Sequence, residues 1–224
     1  MERSYVAKDF KITTWDKLEF YFKNLLEVEV SSKEEFIQWL KDLNELSAVI
    51  SEDMAWRYIK MTCDTKDKEI EASYMDFVQN ISPKIAPYQD KLNKKLIDSP
   101  FTKELGSQSK YHIYFRGIQK AVELFREENV PLFTEMQTLE SKYGSINGAM
   151  TVSLNGKELT LQQAGLNLKE NDRELRKTTF EKIGERRLQD KEALNTLFND
   201  LITLRHKVSL NAGFENYRDY KFQS

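Results

Sequence analysis

The chain has 224 residues and a mass of 26.4 kDa, with 40% hydrophobic and 31% charged residues. That is too apolar for disorder, too polar for a membrane protein, and long enough to bury a sizeable core in one large or two small domains. A formal net charge of -2 and a pI near 5.9 leave no electrostatic footprint for nucleic acid, and only 8 Gly and 4 Pro predict few turns and long helices.

Cys63 is the only cysteine, which excludes an intrachain disulfide and predicts a reducing, cytoplasmic location. The N-terminal MERSYVAKDFKITTWDK lacks the apolar core of a signal peptide, and no stretch approaches the roughly 20 apolar residues that span a bilayer.

In chain order, Thr13 or Thr14 can cap a first helix running to about Glu27, with Trp15, Leu18, Phe22 and Leu25 on one face. Ser32 and Glu35 form a capping box, each side chain accepting from the other's backbone N–H. From there Phe36, Leu40, Leu43, Ile50 and Met54 keep helical spacing to about Thr62. A third stripe, Ile70, Tyr74, Phe77, Ile81, Ile85, Tyr88, Leu92 and Leu96, runs through Pro83 and Pro87. Either Ser82 caps a new helix with Pro83 in its first turn, or one long helix is kinked there; the unbroken phase of the stripe favours the kink.

Ser99-Pro100 and Gly106-Ser107 mark turns, and Tyr111, Tyr114, Phe115, Ile118, Val122 and Phe125 build the next amphipathic helix. Asn129-Val130-Pro131 starts another through Phe133, Met136 and Leu139, with Gly144 the expected left-handed stop. The period then changes. Met150, Val152 and Leu154 alternate with polar residues, Asn155-Gly156 follows, and Leu159 and Leu161 alternate again, which predicts a hairpin over about 149–161 with a type I′ turn. One hairpin is not stable alone, so it must pack on helices or pair with other strands.

Asn171 and Glu174 read as a second capping box, opening a run of roughly 40 residues from about 172 to 212 that would span about 60 Å. Leu194, Leu197, Phe198, Leu201 and Val208 form its apolar stripe, Gly213 ends it, and Glu215 to Tyr220 begins a further element. The fold class is therefore mainly α with one hairpin, divided into a helical region over 1–147 and a hairpin plus long helix over 148–224, in one continuous structural unit.

The chemistry-bearing residues are few. A zincin site needs two histidines one helical turn apart with a glutamate between them. This chain has two histidines in all: His112 is followed by Ile-Tyr-Phe and His206 by Lys-Val-Ser. Neither belongs to H-E-x-x-H, so no metal ligand, catalytic residue or cofactor-binding residue is assigned here. His206 lies near a helix C-terminus, where a protonated imidazole complements the dipole. His112 reads as a partly buried polar tip, Cys63 as a packing residue, and Tyr111, Tyr114 and Phe115 as core. Glu185-Arg186-Arg187 with Asp190-Lys191 reads as a charge ladder on a solvated face.

The hairpin TVSLNGKELTL, the segment NDRELR and the stretch LRHKVSLNAGFENYRDY, in that order, resemble oligoendopeptidases of the F type, zinc peptidases of the thimet oligopeptidase (M3) superfamily. The resemblance covers essentially the whole chain. It implies the N-terminal, helical wall of a deep cleft that admits oligopeptides, with the zinc ligands and general base carried on a later half that bears H-E-x-x-H. It carries no catalytic residue over to any position here, and zinc belongs to the complete enzyme. Three functional readings follow: the N-terminal part of a zinc oligoendopeptidase, one half of a split enzyme completed by a separate chain, or a helical binding module without chemistry.

Overall fold

The computed structural model describes residues 3–65 and 67–224. The chain is mainly α and folds as two units, residues up to Thr134 together with Lys207–Ser224, and Glu135–His206. The unit boundaries fall inside the helices α7 (Asn129–Gly148) and α10 (Lys191–Asn211).

In the first unit α1 (Trp15–Glu27) begins at Thr14, whose extended backbone supplies the cap without a side-chain bond. The 31-residue α2 (Lys33–Cys63) opens with the expected capping box between Ser32 and Glu35. α3 (Lys68–Asp76) and α4 (Ser82–Asp98) are joined by one π turn, Phe77–Ile81, with helical backbone throughout. Of the two sequence readings, the continuous helix is the one that forms. Pro83 has no N–H to give to the preceding turn, and the Ser82 N–H reaches back to the Phe77 carbonyl to close the wider ring.

A short α5 (Pro100–Gly106), not foreseen from the sequence, begins at Pro100, and α6 (Ser109–Leu124) follows. The core joins these elements: Leu18, Phe22 and Leu25 of α1, Phe36 to Val49 of α2, Phe77 and Ile81, Leu92 and Leu96 of α4, Leu105 and Phe115. The C-terminal part of this unit is tied in at the end of α10. Asn129, fully buried, donates through Nδ2 to the Val208 carbonyl (3.0 Å) and accepts from Asn211 Nδ2 (2.8 Å), while Arg126 Nε donates to the Asn211 carbonyl (3.1 Å). Those are the carbonyls that a helix end leaves without partners. Gly213 follows at φ 87°, as expected of a left-handed stop, and Asn216 caps α11 (Tyr217–Gln223) through the Asp219 N–H.

The second unit is built on the hairpin. β1 (Thr151–Leu154) pairs antiparallel with β2 (Lys157–Thr160), and Asn155 and Gly156 take φ of 52° and 75°, both positive as a type I′ turn requires. Val152 and Leu154 are buried together with Ala164, with Leu159, Leu161 and Ile183 packed against them. The hairpin thus packs on α8 (Leu161–Leu166) and α9 (Arg173–Gln189). Thr160 and Gln163 cap α8 reciprocally.

Three local expectations are corrected. α7 passes through Gly144 and ends at Gly148; Gly144 keeps helical backbone, and the Asn147 side chain donates to the Tyr143 carbonyl (2.9 Å) in the last turn. α9 is capped by Asp172 rather than Asn171, the carboxylate accepting from the Glu174 and Leu175 N–H groups. The long helix is present as α9 and α10 with a single-residue interruption at Asp190 (φ -98°, ψ 7°), whose N–H still bonds back into α9 and whose carbonyl accepts from Leu194 N–H, the first turn of α10. Its carboxylate pairs with Arg186. Aspartate offers the backbone a local partner at a helix boundary and is favoured there over helix interiors.

One buried charge organises the start of the chain. Glu45, in the middle of α2, is 6% exposed. Its carboxylate accepts from the N–H groups of Ser4 (3.0 and 2.9 Å), Tyr5 (3.0 Å) and Val6 (2.8 Å) and from the Ser4 hydroxyl (3.0 Å). Burial works to raise this carboxyl, but the backbone and hydroxyl donors outweigh it and hold it below the usual glutamate range. With the folded value depressed, the stabilisation is complete above the unfolded pKa near 4.3 and is lost as pH falls through the folded value. Glu45→Gln is expected to lower stability by about 1–3 kcal/mol at pH 7, and the gap from wild type should close as the medium is acidified below about pH 4. Urea denaturation of both proteins across that range measures it; a gap independent of pH would refute the assignment.

Candidate functional site

The two histidines and the cysteine do not converge on a metal centre. His112 lies exposed on α6, not as the partly buried tip expected of it, and His206 is exposed in the last two turns of α10. Cys63 ends α2 and is exposed, which removes the packing role expected of it. Among the described residues no group of three His, Cys, Asp or Glu side chains is placed to hold a metal ion. The described residues thus offer no ligand set that fits zinc. Phe115 is buried and Tyr111 and Tyr114 pack against the core, as the sequence predicts.

The organised polar chemistry of the first unit lies instead at two crossings of helices. At the first, Lys95 of α4 reaches the end of α1, where its ammonium donates to the carbonyls of Leu25 (3.0 Å), Leu26 (2.8 Å) and Val28 (2.5 Å). Trp39 Nε1 also donates to Leu25 O (2.9 Å), and the Lys95 ammonium stands 5.6 Å from the Trp39 ring centroid. Burial lowers the Lys95 pKa, while the carbonyls give its protonated form three acceptors for three N–H groups. This crossing borders a cavity of about 550 Å³.

At the second crossing, Arg57 of α2 binds Asp53 (2.6 Å), the Ser73 carbonyl and hydroxyl on α3 (both 2.9 Å) and the Ile12 carbonyl (2.6 Å), with its guanidinium 5.4 Å from the Phe77 ring centroid. Two smaller cavities of about 390 and 360 Å³ flank it and share Asp53, Trp56 and Lys60. Trp56 is exposed between them.

The sequence carries faint signals for these residues. Arg57 falls three positions after Met54, where the apolar stripe of α2 would continue, and Glu45 and Lys95 border Leu46 and Leu96. A charged residue at the margin of a buried stripe requires a partner, but spacing does not identify it.

The peptidase M3 N-terminal domain family matches residues 7–125, just over half of the chain. No curated protein matches the sequence. Among solved structures, one assigned as an oligoendopeptidase F from Bacillus anthracis str. Ames is 23% identical, with a TM-score of 0.88 over 99% of this chain and 41% of that one. PZ peptidase A with an inhibitor is 20% identical, with a TM-score of 0.88 over 98% of this chain and 39% of the other. A further structure assigned as an oligoendopeptidase F is 19% identical, with a TM-score of 0.87 over 99% of this chain and 39% of that one. The chain spans about two fifths of the length of these structures, and at these identities the likeness establishes the fold. With more than half of its residues matched, the chain belongs to the peptidase M3 N-terminal domain family.

Proposed function

We propose that this chain supplies the N-terminal, non-catalytic part of a zinc-dependent oligoendopeptidase that acts on short peptides in the cytoplasm, with the metal-binding H-E-x-x-H segment carried on other polypeptide. The observation that carries this reading is the pairing of membership in the M3 N-terminal family with a sequence in which neither histidine, His112 or His206, belongs to H-E-x-x-H. Hydrolysis by zinc-activated water needs an open metal position and a base beside it, and among the described residues no group of three His, Cys, Asp or Glu side chains could hold the ion. The lone exposed Cys63 accords with a reducing compartment, and no described helix is long and apolar enough to cross a membrane.

A role as one wall of a larger enzyme is further supported by the surface of the second unit. Phe180 is 71% exposed, Leu188 67% and Phe198 58%, and Leu166 is as open. Scattered exposed apolar residues are ordinary, but four such side chains in one small helical unit suit a surface that other polypeptide covers. Of the apolar stripe of the long helix, Leu197, Leu201 and Val208 are buried and Phe198 is not.

Three measurements test the proposal. The purified chain should show no chelator-sensitive cleavage of a quenched fluorogenic peptide; such cleavage by rigorously pure material would overturn it. Dialysis against zinc followed by metal analysis should leave no stoichiometric zinc, whereas one tightly held ion per chain would show that a site had been missed. A hydrophobic dye should brighten on the folded chain, and replacing Phe180, Leu188 and Phe198 by Ser should abolish most of the signal without lowering the melting midpoint by more than about 2–4 °C. A dye response unchanged by those substitutions would remove the surface argument.

A further inference from the structure

The cavity of about 550 Å³ beside Lys95 is within the size range of small-ligand sites. It lies where α1 ends and α2 begins, against the end of α4. Its inner wall is apolar, from Leu26, Val30, Phe36 and Trp39, and its mouth carries the exposed carboxylates of Glu27, Glu29 and Asp98. None of the three enters an ion pair among the described residues.

The hydrogen-bonding state of the lining decides the class of ligand. Lys95, the sole cation of the wall, has all three N–H groups on the carbonyls of Leu25, Leu26 and Val28, and the Trp39 indole N–H is on Leu25 O. The Ser31 N–H goes to Glu35. An incoming carboxylate or phosphate would meet a cation with no donor left to offer, behind three like charges. An incoming ammonium or guanidinium would meet three carboxylates that make no ion pair among the described residues, only Glu27 feeling a nearby cation, Lys23. The Lys95 charge is turned toward the carbonyl end of α1, whose dipole it offsets, so the mouth remains negative.

We propose that this cavity binds an amphipathic organic cation: an ammonium or guanidinium on an apolar stem, the stem against Phe36 and Trp39 and the charge at Glu27, Glu29 and Asp98. A lysine or arginine side chain of a peptide and a free arylalkylamine share that chemistry. The inference stands on the geometry of the first unit alone and does not depend on the peptidase reading.

The test uses the full chain labelled with nitrogen-15 and follows the Trp39 indole resonance during titration with 3-phenylpropylamine and, separately, with 3-phenylpropionate, which matches it in size and apolar stem. The amine should shift the resonance saturably below about 10 mM, with affinity falling as NaCl rises from about 0.02 to 0.5 M, and the acid should leave it in place. A peptide of the form acetyl-Phe-Arg-amide should compete with the amine if side chains are accommodated, while amine binding without such competition assigns the site to free amines. The Glu27→Gln, Glu29→Gln, Asp98→Asn variant should keep the wild-type melt, because these groups are exposed, and bind the amine about tenfold more weakly. Equal responses to amine and acid, no saturable shift, or undiminished affinity in the variant would each overturn the proposal; the salt dependence, read on the wild type, decides the matter if the variant does not fold.

Discussion

The first unit rests on a charge placed where water cannot serve it. A carboxylate in the middle of a long helix, at a buried position, is destabilising unless hydrogen bonds replace its hydration. Residues 4–6 have the converse problem: they bend with no helix or strand to take up their N–H groups. Glu45 satisfies both demands at once. The contact fixes the strap at the start of the chain, and its neighbours follow. Val6 and Ile12 are then carried into the core, the Tyr5 hydroxyl donates to the Tyr21 carbonyl, and the Ala7 N–H donates to the Tyr21 hydroxyl. The strap thereby joins α1 to α2 through one carboxylate that neither helix could bury alone.

Cations perform the complementary task at helix ends. Lys95 closes α1, Arg126 closes α10, and Arg57 joins the Ile12 and Ser73 carbonyls across α2. These differ in kind from the exposed pairs such as Lys23–Glu19 and Lys120–Glu123, whose individual contribution is small because solvent screens them. The near balance of charge in the composition therefore conceals two populations. Most charged side chains decorate solvated helix faces, as periodicity suggests. A few close backbone groups that would otherwise be orphaned at buried crossings, and these determine how the helices of the first unit meet.

That division explains what could be read in advance. The hairpin was legible because Asn155-Gly156 admits few backbone conformations, and the start of α2 because Ser32 and Glu35 satisfy each other within four residues. The stripe from Ile70 to Leu96 kept its phase because a π turn absorbs Pro83 without leaving the helix. Each of these is decided locally. The partners of Glu45, Lys95 and Arg57 lie tens of residues away in sequence, and no spacing rule encodes them. Gly144 shows the same limit in reverse: a glycine permits a stop, but the helix stops only where following residues take up its carbonyls, and here they do so at Gly148. For the candidate site, the absence of a histidine pair was visible in the sequence. The carboxylate-lined mouth beside Lys95 was not, since Glu27, Glu29 and Asp98 come from segments that only the fold brings together.

The same accounting bears on what such a chain can contribute to chemistry. Reactive protein sites commonly use groups left over from folding: a helix N-terminus, a free imidazole beside an acid, a cation with unspent donors. In the first unit the start of α2 is closed by Ser32 and Glu35, that of α3 by Asp67, and the ends of α1 and α10 by Lys95, Arg126 and Asn129. The donors at these helix ends are thus committed to the protein's own backbone. Facing outward are apolar side chains and solvated charges of both signs, among them Lys17, Lys41 and Arg116, which can hold a partner by burial and by opposite charge. The polar groups at these helix ends therefore serve the fold, and contact with a partner would fall to the exposed side chains of the helix faces.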